Sequence, residues 1–238
     1  MHGVIGVYKR ELKGYFNSPI AYIFLVVFLL TASWLFFRGY FLYGQADLRP
    51  FFSLLPWMFL FFVPAVSMRL WAEERKQGTA ELLLTLPVKD EEIILGKYLA
   101  GLTLVTLAVF LEFPLVILTA RLGDLDPGPV IGGFLGSIFL GGAYLAIGLF
   151  LSSITSNQIV AFILGVVVSF ALFIVGESLV LATAPPAVAP LLRDLGLGAH
   201  FDSIGRGVID TRDVIYYLSV IAFFLYLNRL TLRERRWA

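Results

Sequence analysis

Residues 68–92 read MRLWAEERKQGTAELLLTLPVKDEE and lie between two apolar runs, near 51–68 and 98–120. Gly78 is placed to break the charged extension of the first run. Thr79 then N-caps a short helix with Glu81 in its first turn, where a carboxylate meets the positive end of the helix dipole. That helix carries Leu82, Leu83, Leu84 and Leu86 and stops at Pro87, because the residue before a proline avoids the helical region. Asp90 caps the next helix, with Glu91 and Glu92 in its first turn. The stretch therefore predicts a helix, a break, a short leucine-rich helix, a second break and a helix that runs on into the second apolar run. A leucine patch rimmed by charge suits a docked partner. On spacing alone, the same leucines fit equally well folded back on the membrane or on the chain's own bundle.

Working outward, six apolar runs approach the ~20 residues that a bilayer core requires: 20–41, 51–68, 98–120, 130–151, 159–181 and 214–227. Pro56 and Pro64 predict kinks in the second run, where neighbouring helices can satisfy the freed carbonyls. Composition agrees with an all-α integral membrane protein. The 238 residues are 59% hydrophobic and 15% charged, with a mean hydropathy of +0.87, against roughly 25% charged residues in a soluble domain. A net charge of +1 gives no basic footprint for nucleic acid. Cysteine is absent and there are two histidines, which excludes disulfides and thiolate metal sites.

Charge placement predicts orientation. With the N-terminus inside, the inner segments hold twelve of the eighteen Lys and Arg residues (Lys9, Arg10, Lys13, Arg69, Arg75, Lys76, Lys89, Lys97, Arg229, Arg233, Arg235 and Arg236), as the positive-inside rule requires. Both termini, the loop 69–97 and the turn 152–158 are accordingly expected on the cytoplasmic side. Trp71 and Trp237 then lie at the inner interface, and Trp34 and Trp57 at the outer one. Residues 1–16 place Val4, Ile5, Tyr8, Leu12, Tyr15 and Phe16 on one helical face and Lys9, Arg10 and Lys13 on the other. This is the pattern of an amphipathic helix lying on an anionic leaflet.

The run Glu73–Pro87, followed by Gly96-Lys97 at the head of the next span, resembles the signature of ABC-2-type transporter permeases. More narrowly, it is similar to the gliding-motility-associated permeases and their relatives in multicopper-enzyme maturation. The likeness extends to Lys9-Arg10-Glu11-Leu12, to Gly44–Arg49, to Gly207–Asp210 and to Arg235-Arg236-Trp237. It implies a single six-helix ABC-2 domain with an N-terminal interfacial helix and a coupling helix over about Thr79–Leu86. It also implies a permease subunit of an exporter in a bacterial-type inner membrane. Such a subunit pairs with a second permease subunit, in a homo- or heterodimer, and each is docked on an ABC nucleotide-binding ATPase subunit. The ATPase-coupling residues carried over are Glu73, Glu74, Gly78, Thr79, Glu81, Leu84 and Pro87. A non-transporting scaffold, passing ATPase-driven motion to a periplasmic auxiliary protein or motility machine, would use the same loop.

No G-x-x-x-x-G-K-[ST] motif occurs, since Gly96-Lys97 lacks the upstream glycine, so ATP and magnesium are expected on the partner ATPase rather than on this chain. The Glu73-Glu74 pair lacks an arginine four positions beyond Glu74, and no histidine lies in the spans, so a membrane-embedded enzyme is disfavoured. No catalytic, cofactor-binding or metal-binding residue is assigned.

Two carboxylates fall within the predicted spans. Glu112 lies about 14 residues beyond Tyr98, or ~21 Å at 1.5 Å per residue. A charge near mid-membrane costs ~2.5–3.5 kcal/mol even on lenient scales, so Glu112 should face the bundle or a wet cavity. Glu112 and Glu177 are the candidate pathway residues, with Glu177 close enough to the outer end to reach interfacial water. Gly132, Gly133 and Gly136 form a small-residue face suited to close helix packing, within one subunit or at a dimer seam. Residues 182–213 are too long for a turn and too broken by Pro185, Pro186 and Pro190 to span, and the resemblance implies that they form an outer re-entrant segment.

Overall fold

The computed structural model describes residues 2–43, 46–79 and 88–236. Among these residues every regular element is a helix. In chain order they are α1 (His2–Asn17), α2 (Pro19–Tyr43), α3 (Arg49–Ser67), α4 (Arg69–Lys76), α5 (Asp90–Phe110) and α6 (Phe113–Leu122). There follow α7 (Pro127–Ile154), α8 (Gln158–Ile174), α9 (Ser178–Thr183), α10 (Ala189–Leu195), α11 (Leu197–Gly205) and α12 (Thr211–Arg236).

Local chemistry sets the ends of these helices. Asp126 accepts from the Gly128 amide at 3.0 Å, with Pro127 at the first helical position of α7. Asn157 accepts from the Ile159 amide at 2.9 Å and starts α8. Both are side-chain N-caps that satisfy otherwise orphaned amides. Gly78, at φ +70, ends α4 with its amide bonded to the Arg75 carbonyl at 3.2 Å. A left-handed glycine after the last turn is a common helix stop. At α5 the N-cap is Lys89, one residue earlier than expected, and Asp90, Glu91 and Glu92 occupy the first turn. The hydroxyl of Thr79 donates back to the Glu74 carbonyl at 3.2 Å, so it also serves the end of α4.

Among the described residues, five stretches are long and apolar enough to cross a membrane: Pro19–Phe41, Arg49–Lys76, Asp90–Leu122, Pro127–Ile154 and Thr211–Arg233. The expected run 159–181 is shorter as a helix. Gln158–Ile174 spans 17 residues, and the chain turns before α9. The second stretch runs through Pro56 and Pro64 and interrupts only at Met68. The third breaks at Leu111 and Glu112, where Pro114, at the second position of α6, has no amide to continue the ladder.

The central post is α7, which packs against α3, α4, α5, α8, α11 and α12. Its glycines allow this. An added Cβ on Gly133 would collide with the Phe52 ring, one on Gly132 with the Ile204 carbonyl, and one on Gly148 with Ser67. All these partners belong to the same chain, so the small-residue face is used for packing within the subunit. Around the post, α2 and α12 leave Val26, Leu30, Trp34, Ile215, Leu218 and Phe223 exposed. Such apolar surface on a long helix is suited to lipid.

The bundle has two distinct ends. One end gathers α1, α4, the start of α5 and the ends of α7 and α12, through Lys97–Glu11, Arg75–Ser153 and Arg229–Glu91 contacts. The other carries α9, α10 and α11. Of these, α11 sits against α3, α7, α8 and α12 with Leu197, Phe201 and Ile204 buried, whereas α9 and α10 bury none of their residues.

Candidate functional site

The site is built on Lys97, whose side chain is 0% exposed. Gly96 precedes it because α1 lies directly on this turn of α5: an added Cβ would stand 2.7 Å from Val7 Cβ. The resulting close approach carries Glu11 of α1 to the lysine. Lys97 Nζ donates to Glu11 Oε1 at 3.0 Å and to the Leu70 carbonyl at 2.7 Å. It is ion-paired with Glu74 Oε2 of α4 at 2.9 Å and lies 4.8 Å from the centre of the Trp71 ring. Arg10 Nη2 closes the group, at 2.8 Å from Glu74 Oε1 and 2.5 Å from Glu11 Oε1.

Two cations thus face two carboxylates, and the charges balance. An ammonium without partners could not remain buried, because desolvation alone would cost several kcal/mol. Carboxylates, a carbonyl and an aromatic face satisfy this one. Burial works against the charge on Glu11, but Lys97 and Arg10 outweigh it and hold its carboxyl below the ordinary range.

A second set of contacts fixes α4 to the post. Ser152 Oγ accepts from the Trp71 and Ala72 amides at 3.1 and 3.0 Å and donates to the Met68 carbonyl at 2.8 Å. It thereby replaces ladder bonds lost where α3 gives way to α4. Arg75 Nη1 donates to the Ser153 carbonyl at 2.7 Å. Arg229 of α12 reaches Glu91 at 2.6 Å, and Asn228 donates to the Leu149 carbonyl at 3.0 Å. The two flanks of segment 80–87 are therefore joined to each other, to α1 and to α7.

Of the expected coupling residues, Glu73, Glu74, Gly78 and Thr79 lie on or just after α4. Glu73 pairs with Arg69 at 3.0 Å and Glu74 with Lys97. Glu81, Leu84 and Pro87 lie outside the described residues, as does Trp237. The structure adds Lys97, Glu11 and Arg10 as members of the site. The sequence signal was present: all three belong to the short motifs that carried the resemblance, and a lysine at the head of a span invites a search for its partner.

Glu112 and Glu177 do not meet. Glu112 is 2% exposed at the break between α5 and α6. Its Oε2 accepts from Ser33 of α2 at 3.1 Å, and its Oε1 is buried without a hydrogen-bond partner. Glu177 stands at the other end of the bundle, beside a cavity of about 520 Å³ that Arg49, Arg193, Asp202 and Arg206 also line. Burial, and then Asp202, push its carboxyl above the ordinary range. Among the described residues no group of three or more His, Cys, Asp or Glu is placed to hold a metal ion.

A family model described as ABC-2 family transporter protein matches residues 37–195. The chain belongs to that family. No curated protein matches it. The matched stretch runs from α2 through α10 and takes in both flanks of segment 80–87, including Glu74, Gly78 and Lys97. The ABC-2 protein is a multi-pass membrane component of an ABC transporter, and membership of the family implies association with an ABC ATPase subunit.

Proposed function

We propose that this ABC-2 protein is the permease subunit of an exporter, driven by a separate nucleotide-binding ATPase that docks on the segment following α4. Hydrolysis of ATP, with its magnesium, belongs to that partner. One observation carries the reading: elements on both sides of the docking segment, together with the N-terminal helix, converge on Lys97. A segment anchored in this way would pass a partner's movement to α1, α5 and α7 at once.

Six crossings form part of the proposal. Five stretches are long enough, and Gln158–Ile174 falls at the short limit of the 17–25 residues that can span a bilayer. It begins after Ile154 at the site end of α7, and its Phe173 reaches Gly198 at the opposite end. With an even number of crossings, α1 and the end of α12 share a side, and the charge bias makes that side cytoplasmic. There α1 lies at the inner interface. A second permease subunit completes the transporter. Membership of the gliding-motility-associated subfamily rests on the motif resemblance.

Reconstitution with the cognate ATPase tests the docking. Glu81→Lys and Leu84→Asp should each abolish co-purification and the permease-dependent stimulation of ATP hydrolysis, while membrane insertion persists. Normal co-purification and stimulation in both variants would refute the assignment.

A further inference from the structure

The end of the bundle opposite Lys97 carries a second, partly buried polar pair, centred on the one histidine within the fold's described side chains. His200, on α11, places Nδ1 2.7 Å from Asp213 Oδ1 of α12 and Nε2 3.1 Å from the Asp194 carbonyl at the end of α10. The ring stacks on Tyr216, with centroids 3.9 Å apart and planes inclined by 18°. The side chains of His200 and Asp213 are 16% and 7% exposed.

Both ring nitrogens therefore face acceptors. A carbonyl oxygen can only accept, and so can an ionised carboxylate, whereas a neutral imidazole has a single N–H. The arrangement is satisfied only when the imidazole–carboxylate pair holds one proton more than a neutral ring and an ionised carboxylate. Removing that proton sets two lone pairs against each other across one of the short contacts.

The other charged groups around the ring do not replace this proton. Arg193 and Asp194 come from α10, Arg206 follows α11, and Asp210, Arg212 and Asp213 come from the start of α12. All line a cavity of about 710 Å³ together with His200. Asp210 is engaged with the Arg212 amide at 2.9 Å. The second Asp213 oxygen is buried without a hydrogen-bond partner, so His200 is the group that satisfies this carboxylate.

The pair sits where it can control a larger element. Tyr216 donates to the Leu195 carbonyl at 2.5 Å and Tyr217 to the Leu197 carbonyl at 2.7 Å. With His200, these bonds hold the α10–α11 segment against α12. Beneath the segment, Leu197, Phe201 and Ile204 fill the end of the bundle.

We propose that His200 is a positioning residue, a proton-dependent latch that pins α11 to α12 through Asp213 and releases it as pH rises. The sign follows from the proton count. The closed arrangement holds the extra proton, so it is favoured at low pH and loses support as pH increases. One proton changes the opening equilibrium by at most ~10-fold per pH unit.

The chain has two histidines, so a His2→Gln background leaves His200 as the only ring signal. In that protein, in lipid nanodiscs with ¹⁵N-labelled histidine, both ring nitrogens should carry hydrogen at the acid end of a pH series and only one at its alkaline end. Hydrogen exchange of residues 196–205, corrected for intrinsic rates, should rise over the same interval. His200→Gln and Asp213→Asn should remove the pH response of that exchange. A singly protonated ring at the lower pH would overturn the proposal. So would exchange that does not respond to pH, or a response that survives in either variant. If the variants fail to insert, the ring titration in the His2→Gln protein decides alone.

Discussion

Lys97 and Glu74 stand 2.9 Å apart, the lysine wholly buried and the glutamate 19% exposed, on the two helices that flank segment 80–87 in the chain. The pair is a structural bond between the entry and the exit of that segment. Breaking a buried ion pair by removing one partner costs ~3–5 kcal/mol. Because Glu11 and Glu74 retain some access to water, Lys97→Met should cost about 3 kcal/mol. Thermal melting of the purified protein should show the loss, and adding Glu11→Gln and Glu74→Gln to Lys97→Met should recover most of it. A melting temperature unchanged in Lys97→Met would mean that the cluster contributes nothing to stability.

The acid limb of stability should report Glu11. Its carboxyl is held below the ordinary range, so its stabilising contribution is complete above the unfolded value of ~4.3. It is lost as pH falls through the depressed folded value. Hydrogen exchange across residues 7–16, corrected for intrinsic rates, should therefore be flat from ~pH 8 to ~pH 5 and rise below ~pH 4. Glu11→Gln should raise exchange at neutral pH and flatten the acid limb.

Gly78 separates conformation from space. Its φ is +70, and among the described residues an added Cβ would meet nothing within 4 Å. Any penalty at this position is therefore one of backbone conformation, ~1–2 kcal/mol for an ordinary residue and less for asparagine. Gly78→Val should lose stimulation of the ATPase while insertion is retained, and Gly78→Asn should keep most of it. Equal activity in the two variants would show that the left-handed turn has no role in coupling.

Glu112 has one oxygen bonded to Ser33 and one without a partner. Gln is isosteric and still accepts from Ser33, whereas Leu orphans the hydroxyl. If Glu112 lines the transport path, Glu112→Gln should alter flux with little effect on assembly, and Glu112→Leu should alter both. Unchanged flux in both variants would leave only a packing role.

Gly132 lies where α11 meets the post, and its added Cβ would run into the Ile204 carbonyl and stand 3.2 Å from Gly207 Cα. Both obstacles are backbone, which cannot rotate away. Gly132→Ala should cost ~1–3 kcal/mol through overpacking. In contrast, Gly14→Ala, with open space around it, should be neutral or slightly stabilising. Paired thermal melts of the two variants check the contrast.

The one-dimensional signals in this chain are those of period and stop. Apolar runs and Gly78 identify most helices and the end of α4, because each acts on backbone within a few residues of itself; the caps Asp126 and Asn157 act as locally but were recognised only in the structure. The motif Glu73–Pro87 with Gly96-Lys97 was enough to indicate the family. The length of α8 was not legible, since an apolar run carries no mark of where a helix ends inside it: the run 159–181 stops as a helix at Ile174. Nor was the partner of Lys97, because Glu11 is 86 residues away in the chain and only the packing of Val7 on Gly96 brings it near. At the other end, His200 and Asp213 read along the sequence as two unrelated polar residues on a loop and a helix start. Their contact depends on α11 seating Leu197, Phe201 and Ile204 in the bundle. The sequence by itself determined a membrane-spanning helical chain and the break in it at Gly78, through local backbone preferences and hydrophobic period. Only the tertiary structure decided which charges share a buried site, because removal of an ion from water is tolerated only where distant helices deliver its partners to the same point.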